Sequence, residues 1–348
     1  KRELRITSHL QPQQVSKSGC CIDLHIDQLQ VAAAGDRARP VMSDSTAFFP
    51  RLCARIRAVD SILCIGLDPH TSLLNKTTSA DSSSLPTAAD VEAFCDGLID
   101  ATLAVACCYK PNVAFFEALG GPGLELLAKL IAKIPKDIPV LLDCKRGDIG
   151  STAAAYATAS YHHLKADAVT LSPYMGTDSI VPFIEDGSKA AFVVCKSSNP
   201  GSNDLQALAM SDGRPLYLHV ARLCERLGRT HDNNVGLVVG ATDCEALRRV
   251  RSECPDVWIL APGIGAQGGD LKEALTAGLR PDGLGMIMPV SRAISRAEDM
   301  RGAAEELRQQ MNAVRKEVMH EGMGWTEGMW SVGLIKSDGV FVKRDRER

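Results

Sequence analysis

Apolar residues fall into short runs separated by polar loops, and each run from about Ser61 onward is followed by a longer stretch with apolar positions at helical spacing. The runs cover 61–67, 106–109, 138–142, 168–171, 190–195, 235–239, 257–261 and 283–288. Helices are predicted over 88–106, 123–134, 149–164, 178–185, 215–227, 243–250, 270–277 and 296–318. Strict alternation of strand and helix implies a parallel sheet, and eight such units in roughly 250 residues predict a closed (β/α)8 TIM barrel of the α/β class. An open doubly wound sheet would carry a glycine-rich nucleotide turn after its first strand, where this chain has Gly66-Leu67-Asp68-Pro69. The expected organisation is an N-terminal extension over 1–45, partly mobile, a single barrel domain over 46–319 and a C-terminal tail over 320–348. A polar segment from Asn75 to Ser84 reads as an insertion before the first helix of the repeat.

Composition narrows the partners. Hydrophobic residues at 45% and charged residues at 23% can build a substantial core. A net charge of -3 gives no global basic field, so nucleic acid is not expected as a partner and any anion must be held by local groups. No run approaches the roughly 18 apolar residues of a membrane span, and no signal-peptide core stands at the start, so a cytoplasmic protein is expected. The twelve cysteines sit in apolar runs such as Ile62-Leu63-Cys64-Ile65 and Phe192-Val193-Val194-Cys195, without metal-ligand spacing, and read as reduced, buried thiols. No zinc site or other metal site is expected.

In a barrel of this kind chemistry gathers where strands end, so charged residues just past the apolar runs are the ones to weigh. The first run ends at Asp68, the second at Lys110-Pro111-Asn112 and the third at Asp143-Cys144-Lys145-Arg146-Gly147-Asp148. A strand period of two places Asp143 with Lys145, and Lys110 with Asn112, so that all four can face the mouth. Burying isolated charges costs several kcal/mol, so Lys110, Asp143, Lys145 and Asp148 must alternate and pair. A salt-bridge network closing the barrel top is the plain alternative for any one of them. After the seventh and eighth runs come Pro262-Gly263-Ile264-Gly265-Ala266-Gln267-Gly268-Gly269 and Ser291-Arg292, positions at which barrels commonly hold phosphate. The long polar loop Lys196-Ser197-Ser198-Asn199-Pro200 offers hydroxyls and amides to a heterocycle. His70, His162, His163 and His219 lack a nucleophile or metal setting and read as structural or surface residues.

Four segments, Gly66-Leu67-Asp68-Pro69, Lys110-Pro111-Asn112-Val113-Ala114-Phe115-Phe116-Glu117, Asp143-Cys144-Lys145-Arg146-Gly147-Asp148-Ile149-Gly150-Ser151-Thr152 and Pro262-Gly263-Ile264-Gly265-Ala266-Gln267-Gly268-Gly269, closely resemble orotidine 5'-monophosphate decarboxylases. The match is to the branch of that family found in many bacteria and in apicomplexan or kinetoplastid parasites, and it covers the chain from about Phe48 to Val318. The resemblance implies decarboxylation of orotidine 5'-monophosphate to uridine 5'-monophosphate (UMP), the last step of de novo pyrimidine nucleotide synthesis, without metal or organic cofactor. It implies that Lys110, Asp143, Lys145 and Asp148 form the catalytic tetrad in a homodimer with shared sites, Asp148 and Thr152 reaching into the partner's site. Asp68 and Asn112 would hold the ribose, Ser198 with Ser197 would read the pyrimidine, Pro262 would line the pocket, and Gln267 and Arg292 would hold the phosphate. Ile264 stands where many relatives have tyrosine, and Ser197-Ser198 where threonine is frequent. The rival readings are a magnesium-dependent sugar-phosphate decarboxylase on the same barrel and a non-catalytic nucleotide-binding barrel.

Overall fold

The structure, a computed structural model, describes residues 46–74, 86–264, 269–331, 334–337 and 340–343, with side chains described as far as 320. The N-terminal extension, the 75–84 insertion and Gln267 therefore lie outside the described residues. Eight parallel strands form the wall: β1 (Leu63–Leu67), β2 (Cys108–Pro111), β3 (Leu141–Arg146), β4 (Ala168–Leu171), β5 (Ala190–Lys196), β6 (Val235–Val239), β7 (Trp258–Leu260) and β8 (Met286–Val290). Their order, β2-β1-β8-β7-β6-β5-β4-β3, runs once around a (β/α)8 barrel. The ring is completed between β2 and β3 by isolated bridges, Tyr109 to Val140 and Asn112 to Asp143.

Helices cover the outside: α1 (Phe48–Val59), α2 (Thr71–Leu74), α3 (Ala88–Thr102), α4 (Val113–Glu117), α5 (Gly121–Lys133), α6 (Gly150–Thr158), α7 (Leu216–Thr230), α8 (Cys244–Glu253), α9 (Leu271–Gly278), α10 (Arg292–Ser295) and α11 (Met300–Ser331). The backbone continues into an antiparallel pair, β9 (Leu334–Ser337) and β10 (Val340–Lys343). Local signals place the helix starts. Thr87 and Asp90 form a capping box at α3, and Asp243 and Asp270 accept backbone N–H groups at the starts of α8 and α9.

Three features differ from the apolar pattern. The stretch 178–185 is two short 3-10 turns, Thr177–Ser179 and Val181–Phe183, because Pro182 lacks a donor and disfavours a helical conformation in the residue before it. The stretch 149–164 is α-helical only to Thr158 and then widens into a π-turn over Ala159–His163. α1, which precedes the first strand, escapes a search for strand and helix pairs, yet it closes the floor of the barrel. Phe49 stacks on Trp258 at 5.4 Å, and both Phe48 and Phe49 meet Phe192 edge-on at 5.9 and 5.6 Å. Each ring so buried contributes about 1.5–3 kcal/mol, enough to seal the end opposite the charged residues.

The ten described cysteines are unpaired, and most are buried in the wall and its helices. Among the described residues no helix is long and apolar enough to cross a membrane.

Candidate active site

Lys110 is the third residue of β2, opposite Gly66 of β1, and Asp143 is the third of β3. Lys110 Nζ donates to Asp143 Oδ2 at 2.9 Å, while Lys145 Nζ donates to Asp143 Oδ1 at 2.5 Å. A third donor, the Thr170 hydroxyl of β4, reaches the same Oδ1 at 2.9 Å. The inner pair is nearly dry, with side chains 8% and 12% exposed, whereas Lys145 is 55% exposed toward the mouth. Burial alone would push the Asp143 carboxyl up, but the two ammonium groups outweigh it and hold Asp143 well below the usual carboxylate range. Burial likewise works against the Lys110 ammonium, and Asp143 with Asp68 more than restores it, so Lys110 titrates above an ordinary lysine. Both shifts favour the ionised pair.

Simple alternation does not produce this arrangement. Leu142 lies opposite Val169, but Arg146 lies opposite Leu171, so β3 bulges against β4 between them. Within the bulge Lys145 has a φ of 42°, a left-handed conformation that is uncommon and costly for a side-chain-bearing residue. Thr170 fills the gap, its hydroxyl accepting the N–H groups of Cys144 and Lys145 at 3.0 and 2.9 Å while donating to Asp143. It is a member of the site that the strand-end search misses, although a lone hydroxyl in the apolar run 168–171 is a legible signal. Arg146, next in the chain, pairs with Glu117 of α4 and lies over the Tyr156 ring.

Beside this cluster a cavity of about 130 Å³ is lined by Asp68, His70, Lys110, Pro262, Ser291 and Arg292, among others. Two of its oxygens, Asp68 Oδ1 and Ser291 Oγ, are buried without a hydrogen-bond partner among the described residues. Such atoms cost about 1–3 kcal/mol each until a ligand or water satisfies them. Gly66 is required here: a Cβ would come within 2.9 Å of the Ser291 side chain and 3.0 Å of Asp68. Arg292 makes no ion pair with the described residues, so its charge is available to an anion. His70, read from the sequence as structural or surface, faces this cavity and packs edge-on against Phe115 at 4.6 Å. A larger hollow, about 330 Å³, lies at the opposite end between α1 and Trp258, away from these charges.

The remaining candidate residues occupy the rim. Asn112 caps α4 by accepting the Ala114 N–H at 3.3 Å. Ser197 is bound within its own loop, its N–H donating to Gln206 and its hydroxyl to Asn199. The Ser198 hydroxyl makes no hydrogen bond to the described protein. Asp148 accepts the Ile149 N–H at 2.8 Å and joins no ion pair among the described residues, so the structure brings together Lys110, Asp143 and Lys145 but not Asp148. Thr152 lies exposed on α6. Among the described residues no group of histidine, cysteine and carboxylate side chains is placed to hold a metal ion.

Residues 61–307 match the family described as "Orotidine 5'-phosphate decarboxylase / HUMPS family". An orotidine 5'-phosphate decarboxylase of Roseiflexus castenholzii is 45% identical over 278 residues, covering 78% of this chain and 99% of the relative. The solved OMP decarboxylase of Leishmania donovani superposes with a TM-score of 0.69 at 48% identity, covering 77% of this chain and 98% of that one. A Leishmania donovani UMP synthase structure gives 0.71 at 50% identity, with 77% of this chain covering 56% of that one. On a family match spanning well over half of its length, and on relatives of this similarity, the chain belongs to the orotidine 5'-phosphate decarboxylase / HUMPS family.

Proposed function

We propose that this protein removes carbon dioxide from orotidine 5'-monophosphate to give uridine 5'-monophosphate, the closing step of de novo pyrimidine nucleotide synthesis, using charged side chains without a metal or organic cofactor. The observation that carries this reading is one nearly dry carboxylate, Asp143, held between a buried ammonium, Lys110, and an accessible one, Lys145.

Breaking the bond between C6 and the carboxylate leaves an electron pair on C6 with little resonance relief. Lys145 supplies the counter-charge, and a preorganised charge in a site closed to water acts far more strongly than one in solvent. Its ammonium then donates a proton to C6, carbon dioxide departs, and the neutral amine recovers a proton from solvent. Asp143 orients Lys145 and keeps Lys110 from competing for the carbanion. Asp68, with its unsatisfied oxygen, and Asn112 serve the ribose hydroxyls, Ser198 with Ser197 reads the pyrimidine and Pro262 flanks it. Arg292 and Gln267 hold the phosphate, whose binding energy draws the loops closed and so raises turnover as well as affinity.

The same reading makes the protein a homodimer in which Asp148 and Thr152 complete the partner's site. Supporting it, Asp148 is the one tetrad member without an ionic partner among the described residues, and the loops after β3 and β4 carry exposed apolar side chains, Ile149 at 49% and Tyr174 at 82% exposed. The loop carrying it is tied to the one carrying Tyr174 by the Ser172 N–H donating to the Arg146 carbonyl at 2.8 Å.

The test is absorbance-monitored turnover of orotidine 5'-monophosphate after exhaustive chelation. Undiminished conversion to uridine 5'-monophosphate is expected. A rate lost on chelation and restored by magnesium would favour a metal-dependent sugar-phosphate decarboxylase, and tight UMP binding without turnover would favour a non-catalytic barrel.

A further inference from the structure

The mechanism above leaves unused one buried cation on the same face of the barrel. Lys196 ends β5 and is only 4% exposed, a placement that costs several kcal/mol unless every donor is met. Its ammonium donates two hydrogen bonds and has a carboxylate at ion-pair distance. Ser202 Oγ lies at 2.5 Å and Asn203 Oδ1 at 3.2 Å, both in the loop after β5, and Asp243 Oδ2 lies at 3.6 Å. Asp243 is itself fixed, because its other oxygen accepts the Ala246 N–H at the start of α8. The ammonium therefore fastens a polar loop to a helix cap through a charge that has no solvent to fall back on.

The same junction is laced by the backbone. The Gly240 N–H donates to the Lys196 carbonyl at 2.7 Å, and the Ala241 N–H donates to the carbonyl of Pro262, a cavity residue, also at 2.7 Å. A Cβ on Gly240 would stand 2.9 Å from the backbone and side chain of Ser198. Ser198 is thus pressed onto the end of β6 with its hydroxyl unclaimed, while Ser197 is locked to Gln206. Whatever sets the path of residues 199–204 sets where that free hydroxyl sits.

We propose that Lys196 is a positioning residue for base recognition: by tying Ser202 and Asn203 to the cap of α8 it holds Ser198 where it meets the pyrimidine, and it governs affinity for the base half of the nucleotide while leaving the phosphate half unaffected. This rests on the reading of Ser198 as the pyrimidine contact. Lys196 touches no substrate atom in this scheme, so its removal acts through loop position, and losing a buried hydrogen-bonded contact to the base costs about tenfold to a hundredfold in affinity.

The experiment compares wild type with Lys196→Met in the full chain, measuring calorimetric affinity for uridine 5'-monophosphate and for ribose 5-phosphate, together with steady-state kinetics. Uridine 5'-monophosphate affinity should fall by about tenfold to a hundredfold, with a matching rise in KM, while ribose 5-phosphate affinity changes by less than about twofold. Equal weakening of both ligands, or no change in either, overturns the proposal. Should Lys196→Met fail to fold, the double variant Ser202→Ala, Asn203→Ala removes the loop acceptors and keeps the Lys196 to Asp243 pair. It should show the same selective loss, and an unselective or absent effect overturns the proposal equally. Wild-type protein without turnover of orotidine 5'-monophosphate overturns the parent reading and this one with it, whereas wild-type turnover beside a variant with unaltered UMP affinity overturns this one alone.

Discussion

Lys145 reaches Asp143, two residues earlier in the same strand, across 2.5 Å from a left-handed backbone with a φ of 42°. An extended strand would carry the two side chains up the same face about 6.5–7 Å apart along its axis. The bulge in β3 instead folds the second charge back onto the first, and Thr170 supplies the hydroxyl that makes the bend tolerable. The strained residue is also the one proposed to deliver the proton, a coincidence often found where geometry serves chemistry.

Lys145→Ala is expected to lower turnover by at least about a thousandfold, because it removes both the charge that meets the carbanion and the proton donor. The side chain is half exposed, so the fold should survive. Circular dichroism and thermal melting alongside the kinetics check this. A folded variant with turnover near wild type would remove Lys145 from the mechanism.

Asp143→Asn should destabilise the protein by about 3–5 kcal/mol near neutral pH, since it leaves the Lys110 ammonium buried without its counter-ion. The direction of the pH dependence follows from the depressed folded-state value of Asp143. Its contribution is whole above the ordinary aspartate value of about 4 and drains away as pH falls toward the folded value. Urea unfolding of the two proteins should therefore show a gap that narrows on acidification. A gap that stays constant down to about pH 3 would mean that the pair does not ionise as argued.

Mixing Lys145→Ala with Asp148→Ala under conditions of subunit exchange tests the shared site. Each variant alone should be nearly inactive. In a heterodimer both lesions fall in one site and the other is intact, so random exchange should restore about a quarter of wild-type activity. Verified exchange without recovery would confine Asp148 to its own chain's site or to no site at all.

His70 offers a readout of the phosphate position that does not depend on turnover. Burial lowers its value, Asp68 opposes this, and the guanidinium groups of Arg292 and Arg296 lower it further. A dianionic phosphate arriving beside Arg292 reverses the balance, so binding of uridine 5'-monophosphate should take up protons near pH 6–7, around the ordinary histidine value of about 6.5. Calorimetry in buffers of different ionisation enthalpy measures that uptake, and His70→Asn should abolish it. Uptake that persists in the variant would assign the proton to another group.

How much of this was legible in the chain depends on what a residue's pattern can encode. The apolar runs locate all eight strands, yet three begin too early: β2 and β3 run on into Lys110 and Asp143, where hydrophobicity no longer marks the strand, and β8 runs on past Pro289, a residue without a ladder donor, to Val290. Lys110, Asp143 and Lys145 are legible as charges past apolar runs, and the structure places both ammonium groups on the Asp143 carboxylate. Their contact through a bulge was not legible, since a period of two assumes an unbroken ladder and nothing in Cys144 announces the slip. Lys196 reads as the start of a polar loop, because nothing nearby in the sequence marks its burial and its counter-ion, Asp243, lies far along the chain. Phe48 and Phe49 were overlooked for a related reason: their partners, Phe192 and Trp258, lie more than a hundred residues away.

The bridges between β2 and β3 complete the ring, and the Lys110 to Asp143 pair lies across that join. The barrel is in effect a hoop with an ionic clasp at that join, while its other neighbouring strands are held by hydrogen-bonded ladders that shift register between β3 and β4 and between β5 and β6. Protonating or deleting the clasp does not merely silence a reactive group; it leaves the hoop unfastened at the spot where a ligand would insert.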